Sequence, residues 1–280
     1  MSDSGAAISA LSGEFIKVSS SAPHVALVEL SRYWTEFGHV FDKISRDPTV
    51  RAVVLASSLP KAFSAGLDLK ALGSLEAFAK EPDRHALQLR DHISSFQCCI
   101  SAVERCSYPV IAAVHGIALG LSIDIICACD IRYAASDAMF SIKEVDIGLA
   151  ADIGTLARLP KIAGNMSMVH ELAYTARNFS AVDAEKMGLV SQVVQGSREE
   201  VVRSAVKLAT AIAGKSPIAV LGTKHLLLHA RDHTVQQNLD YTATWNSIMV
   251  QTADMKEALR AVKAKEKPHY PPLAKLPSKL

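Results

Sequence analysis

Three carboxylic acids, Asp124, Glu144 and Asp152, fall within residues 109–159, in surroundings dominated by Ala, Ile, Leu, Val and Gly. An ionised carboxylate among such neighbours is costly to bury unless it is paired, hydrogen-bonded or kept protonated. Groups held under that constraint are candidates for proton transfer. Asp124, in SIDIICACD, is the most constrained, with buried-type neighbours on both sides. Helix capping or a solvated loop position is the other reading for each of the three, and spacing alone leaves both open.

The elements around these acids read as α/β. FIKVSS (15–20) and HVALVELS (24–31) are β-type runs broken by SAP, a hairpin pattern. From 33 to 45 the apolar positions Trp34, Phe37, Val40, Phe41 and Ile44 recur mostly at three- and four-residue steps, which predicts an amphipathic helix. RAVVLAS (51–57) and PVIAAV (109–114) read as buried strands, with a helix from about His85 to Arg105 between them. GLSIDIICACD reads as a turn into a short apolar helix, DIRYAA and AMFSIK as strands, and Glu144 follows the second. Beyond the short strand LVSQVV the chain reads as helical, with Ser180 and Glu185 fitting a helix opening and Gly214 a helix end. No Pro/Gly/Ser linker separates the parts. The expected division is a core over 1–195, a helical region over 196–267 packed on the core or on a neighbouring subunit, and an extended tail over 268–280.

Composition narrows the function classes. Thirty basic against 28 acidic residues give a net charge of +2, which lends no support to nucleic-acid binding. Cys98, Cys99, Cys106, Cys127 and Cys129 lack zinc-site spacing and read as reduced, buried structural thiols. No apolar run reaches the ~18 residues of a membrane-spanning helix. The N-terminal stretch lacks the basic start and apolar core of a secretory signal. The last three residues, Ser278, Lys279 and Leu280, form the peroxisomal address S-K-L at the end of a Pro-rich tail. Peroxisomal location and an import receptor as partner are therefore expected.

Four blocks in order, AFSAGLDL (62–69), PVIAAVHGIALGLSIDIICACDIRYAA (109–135), FSIKEVDIGLAADIGTLARLP (140–160) and ARNFSAVDAEKMGLVSQVV (176–194), resemble the crotonase (enoyl-CoA hydratase/isomerase) superfamily. The resemblance covers about Phe15 to Lys265. It implies a spiral of ββα turns with a helical C-terminal oligomerisation region, hence a homotrimer or a hexamer of paired trimers. It implies an acyl-CoA thioester substrate, with CoA carried on the substrate and no separate cofactor or metal. It also implies an oxyanion hole of two backbone N–H groups, carried here by Leu67 and Leu121, with Ala65, Gly66 and Gly120 in the substrate-binding turns.

Within the superfamily the chain is most similar to the branch that converts 3,5-dienoyl-CoA to 2,4-dienoyl-CoA in the β-oxidation of unsaturated fatty acids. Asp124, where hydratases usually carry Glu, and Asp152, eight residues after Glu144, carry that likeness. By resemblance Glu144 is the base at C2, Asp152 the acid at C6, and Asp124 a neighbour that tunes Glu144. Asp68, Asp130, Asp137 and Asp146 read as caps or surface ion pairs, and His115 as a turn or core hydrogen-bonding residue. An enoyl-CoA hydratase or a Δ3-Δ2-enoyl-CoA isomerase is the near alternative. A non-catalytic acyl-CoA-binding or scaffold paralogue is the distant one.

Two departures from the family pattern stand out. The usual Gly triplet before the acidic residue is Gly120-Leu121-Ser122 here. A Pro-containing loop after the second strand, which in the family lines part of the CoA site, is missing, because Arg32 runs straight into Tyr33 and Trp34.

Overall fold

The computed structural model describes residues 3–30, 34–67 and 79–274. Arg32, Tyr33, Asp68 and the terminal Ser278, Lys279 and Leu280 lie outside the described residues.

In chain order the elements are α1 (Asp3–Ser9), β1 (Lys17–Ala22), β2 (Val25–Leu30) and α2 (Trp34–Arg46). Then come β3 (Ala52–Ser57), β4 (Ala62–Ser64) and α3 (Pro82–Arg105), followed by β5 (Val110–Val114), β6 (Ile117–Leu119) and α4 (Leu121–Ala128). β7 (Ile131–Ala135) and β8 (Met139–Ser141) lead into a 3-10 turn, Glu144–Ile147. α5 (Thr155–Ile162), α6 (Met166–Thr175), β9 (Phe179–Ser180), α7 (Ala181–Lys186) and β10 (Gln192–Val194) follow. Four helices close the chain: α8 (Arg198–Ala213), α9 (Pro217–Asp232), α10 (Val235–Met249) and α11 (Ala253–Ala264).

The strands sort into two sheets, in the orders β1-β2-β3-β5-β7-β10 and β4-β6-β8-β9. β3, β5 and β7 each join the first sheet, and the strand after each, β4, β6 and β8, joins the second. β4 and β6 are then followed by helices. This is the expected ββα spiral. β1 and β2 pair antiparallel, as the hairpin reading requires, and the rest of the large sheet is parallel.

Alternation along β3 explains why it is buried throughout. Val53 and Leu55 join the core formed with α2, whereas Ala52, Val54 and Ala56 join a second core with Val201, Ala205, Ala209 and Ala213 of α8. Alanines on both partners let α8 lie close on the sheet. On the other side α2 buries Phe37, Val40, Phe41 and Ile44. Each such side chain contributes about 1.5–3 kcal/mol when fully buried. Trp34, the first residue of α2, stacks on Phe96 of α3 with ring centroids 4.5 Å apart and meets His92 edge-on. The short connection after β2 therefore still delivers a helix anchored from its first turn.

Several local readings are corrected by packing. Asp130 is not a cap or surface residue: it accepts from Val110 N–H at 2.7 Å and pairs with Lys224 Nζ at 2.7 Å. Lys224 is 7% exposed and also donates to Tyr108 O, so the pair ties α9 to the start of β5. Cys98 is exposed, while Cys106, Cys127 and Cys129 are buried; all five thiols are free. The box that opens α7 joins Ser180 to Asp183, and Glu185 instead accepts from Val193 N–H. Among the described residues no single helix is long and apolar enough to cross a membrane.

Candidate active site

Two turns, one after β4 and one after β6, meet at the edge of the small sheet. Gly66 has φ +94°, and a β-carbon there would come within 3.0 Å of Leu119 O. Only glycine permits that conformation with so close an approach. Gly120 has φ +53° and is the N-cap of α4, so Leu121 supplies the first helical N–H. A helix leaves its first N–H groups without internal acceptors, and its dipole favours negative charge there. Among the described residues neither Leu67 N–H nor Leu121 N–H meets an acceptor. The Leu121 side chain is half-buried and packs on the main core, so its β-carbon is accommodated on the protein side of the turn. Ala65 and Leu67 are exposed at the same edge.

Glu144 reaches this place from β8. A β-carbon on Gly120 would lie 3.4 Å from Glu144 Oε1, so the carboxyl group rests against the turn that presents Leu121 N–H. Its backbone is fixed by the 3-10 turn, where Gly148 N–H and Leu149 N–H cap the segment through the carbonyls of Val145 and Glu144. Glu144 Oε2 is buried and has no hydrogen-bond partner. Burial pushes its carboxyl above the ordinary range, against the backbone N–H groups of Glu144 and Lys143, and Asp124 and Asp152 push it further whenever they are ionised. An unpaired buried carboxyl oxygen against a turn that presents a free N–H donor suits a base that removes a proton α to a carbonyl.

Asp124 is 1% exposed, and its Oδ1 accepts from Thr155 N–H at 2.6 Å. It caps the start of α5 from another helix, so the capping and buried-acid readings both hold. Asp152 is half-buried, and its carbonyl is held by Gln97 Nε2 at 2.6 Å. It lines a cleft of about 520 Å³ whose wall includes Ser101, Glu104, Arg158 and Arg231. Arg158 and Arg231 both bond Glu104 there, holding its carboxyl below the usual range against the effect of burial. The three candidate acids thus share one electrostatic neighbourhood, and Asp152 also borders a polar opening.

The enoyl-CoA hydratase/isomerase family profile matches residues 22–272. The chain belongs to that family. The mitochondrial Δ(3,5)-Δ(2,4)-dienoyl-CoA isomerase of Homo sapiens is 46% identical over 260 residues, covering 89% of this chain and 79% of that protein. The peroxisomal Δ(3,5)-Δ(2,4)-dienoyl-CoA isomerase of Arabidopsis thaliana is 45% identical over 241 residues, covering 85% and 86%. The crystal structure of an enoyl-CoA hydratase from Bacillus anthracis superposes with a TM-score of 0.82 at 30% identity, covering 92% of this chain and 99% of that one.

Two supporting residues, Gln97 and Thr155, carry no mark in the sequence reading, while Ser122 shows there only as part of the departure from the Gly triplet. Thr155, first in α5 after Gly154, sits at a recognisable helix start; Gln97 carries no local signal. His115 behaves as read, buried with Nε2 2.8 Å from Leu59 O and its basicity lowered by burial.

Asp124→Asn separates capping from charge. Burial raises the Asp124 carboxyl, opposed by the Thr155 bond and reinforced by Asp152. The folded state therefore holds the proton more tightly than the unfolded chain. That contribution is complete below the ordinary Asp value of about 3.9 and is lost as pH rises through the raised one. Asn keeps the Oδ1 acceptor and cannot ionise. The variant should show a higher Tm than wild type at pH 8, with the gap closing towards about pH 4. A lower Tm at pH 8 would show that the carboxylate charge itself holds α5.

Proposed function

We infer that this chain is a Δ3,5-Δ2,4-dienoyl-CoA isomerase acting in the β-oxidation of unsaturated fatty acids. The observation that carries the reading is a third carboxyl group, Asp152, within electrostatic reach of both Glu144 and Asp124. Neither hydration nor a simple double-bond shift calls for it.

The thioester oxygen sits between Leu67 N–H and Leu121 N–H, which stabilise the enolate; one such donor is typically worth ~10²–10³ in rate. Glu144 takes a proton from C2. The electrons of that C–H bond spread over the oxygen, C2, C4 and C6, and Asp152 delivers its proton to C6. Both double bonds then lie in conjugation with the carbonyl. Asp124 raises the basicity of Glu144 through its charge. Asp152 reloads from solvent through the polar cleft, while Glu144 gives up its proton before the next turnover.

The reading includes a homotrimer, alone or in pairs. Leu227, Val235, Leu239 and Ile248, exposed on α9 and α10, support a face covered by another copy. It also includes import into peroxisomes through Ser278, Lys279 and Leu280. The relatives' names divide on location, the Arabidopsis protein peroxisomal and the human one mitochondrial. Deleting the tripeptide should leave the protein in the cytosol of cells that import the full chain; continued peroxisomal import of the deletion would refute the address.

The activity is tested with purified protein offered 3,5-dienoyl-CoA and 2-enoyl-CoA in separate reactions. Conjugated-diene absorbance should rise with the first and hydration should be absent with the second. A folded oligomer that turns over neither would overturn the reading in favour of a non-catalytic binder whose short connection after β2 has cost it the CoA site.

A further inference from the structure

We propose that Ser122 is a positioning residue of the oxyanion hole, stapling its two turns together through a shared hydroxyl proton. Ser122 is fully buried at the second position of α4. Its Oγ lies 2.8 Å from Ser64 O and 2.9 Å from Leu119 O. The bond to Leu119 is local, a helix-start hydroxyl reaching back one turn. The bond to Ser64 crosses 58 residues of chain to the last residue of β4.

Those two carbonyls stand just before the two donors, Ser64 three residues ahead of Leu67 and Leu119 two ahead of Leu121. Ser64 is used twice, since its own Oγ accepts from Gly66 N–H at 3.2 Å and shapes the turn that leads to Leu67. Leu119 O is also the atom that Gly66 backs onto at 3.0 Å from its would-be β-carbon. β4 and β6 pair in parallel here with an irregular register, Ala62 with Ile117 but Ser64 with Ala118. A slip in that register would change the spacing between the two N–H groups. The ladder is short and irregular at this point, and the Ser122 hydroxyl supplies the cross-link that it lacks.

The side chain also gives the departure from the Gly triplet a purpose. Glycine at 122 has no hydroxyl, so in this chain the spacing of the donors gains a contact that a triplet does not provide. Oxyanion donors act by being in place before charge develops, so small displacements lower kcat more than substrate binding.

This inference rests on the oxyanion assignment proposed above, and the test tells the two apart. Bound 2,4-dienoyl-CoA is the probe, because polarising its thioester carbonyl moves its ultraviolet absorbance to longer wavelength. Wild type should show the shift; its absence there would sink the oxyanion assignment itself. With the shift present in wild type, Ser122→Ala should lose most of it and lower kcat by about tenfold or more, with KM within about twofold. Ser122→Thr, which keeps the hydroxyl, should recover both. An unchanged shift and kcat in Ser122→Ala, or a KM rise with kcat intact, would overturn the positioning role. If Ser122→Ala does not accumulate folded, Ser122→Cys, close in volume and a weaker donor, is read by the same criteria.

Discussion

Glu144→Gln is expected to lower kcat for dienoyl-CoA isomerisation by about 10²–10⁴-fold, the usual range for a positioned general base. Gln matches Glu in shape, so the turn around Gly120 is not disturbed. Glu144 Oε2 has no partner in the protein, and the Gln amide oxygen can still accept from the backbone N–H groups of Lys143 and Glu144 that the carboxylate meets. The substitution removes a buried charge whose carboxyl already sits above the ordinary range. The sign follows: above that raised value the ionised form costs stability, so the variant should match or exceed wild type in Tm at pH 8. KM should change little, because the substrate is held by its CoA portion and the backbone donors. An inactive variant with intact Tm and KM assigns the loss to chemistry; retained turnover refutes Glu144 as base. In wild type, kcat/KM should decline on the acid side at a pH above the ordinary Glu value of about 4.3, since the base must be ionised.

Asp152→Asn should stop isomerisation at its second half. The amide cannot deliver a proton to C6, and a loss of about 10²-fold or more in 2,4-dienoyl-CoA formation is expected. Glu144 remains able to take and return the C2 proton. Recovered 3,5-dienoyl-CoA should therefore carry deuterium at C2 after incubation in D₂O, while little conjugated diene forms. Acyl-CoA binding should stay close to wild type. The Asp152 carbonyl, which Gln97 holds, is untouched by the substitution, so the loop keeps its anchor. Undiminished diene formation would remove Asp152 from the mechanism.

The parts of the fold that show in the sequence are those with a period of their own. α2 announces itself through Phe37, Val40, Phe41 and Ile44, and β2, β3 and β5 through their apolar runs VALVEL, AVVLAS and VIAAV. β4, β6 and β9 span two or three residues each, too few for a period; they are strands only because a partner pairs with them. Those short strands bring the turn at Gly66 against Leu119 and Gly120, so the meeting of the two turns proposed to hold the oxyanion follows from the fold and not from local pattern. The acids show the same division. Asp124, Glu144 and Asp152 stand out as charges among apolar residues, but Asp124 capping α5 is a contact between elements. Asp130 pairs with Lys224, 94 residues away, a contact that no local pattern announces. Trp34 stacking on Phe96 seats α2 from its first residue, a contact that composition does not foretell.

The central claim is that two carboxyl groups, not one, move the proton from C2 to C6. A single-turnover reaction of 3,5-dienoyl-CoA carrying deuterium at both C2 positions, run in ordinary water, tests it most directly. With Glu144 removing the C2 label and Asp152 supplying a solvent-derived proton, the new hydrogen at C6 of the 2,4-dienoyl-CoA product should be protium. Deuterium at C6 would mean that one group carries the proton along the whole diene, and would contradict the account.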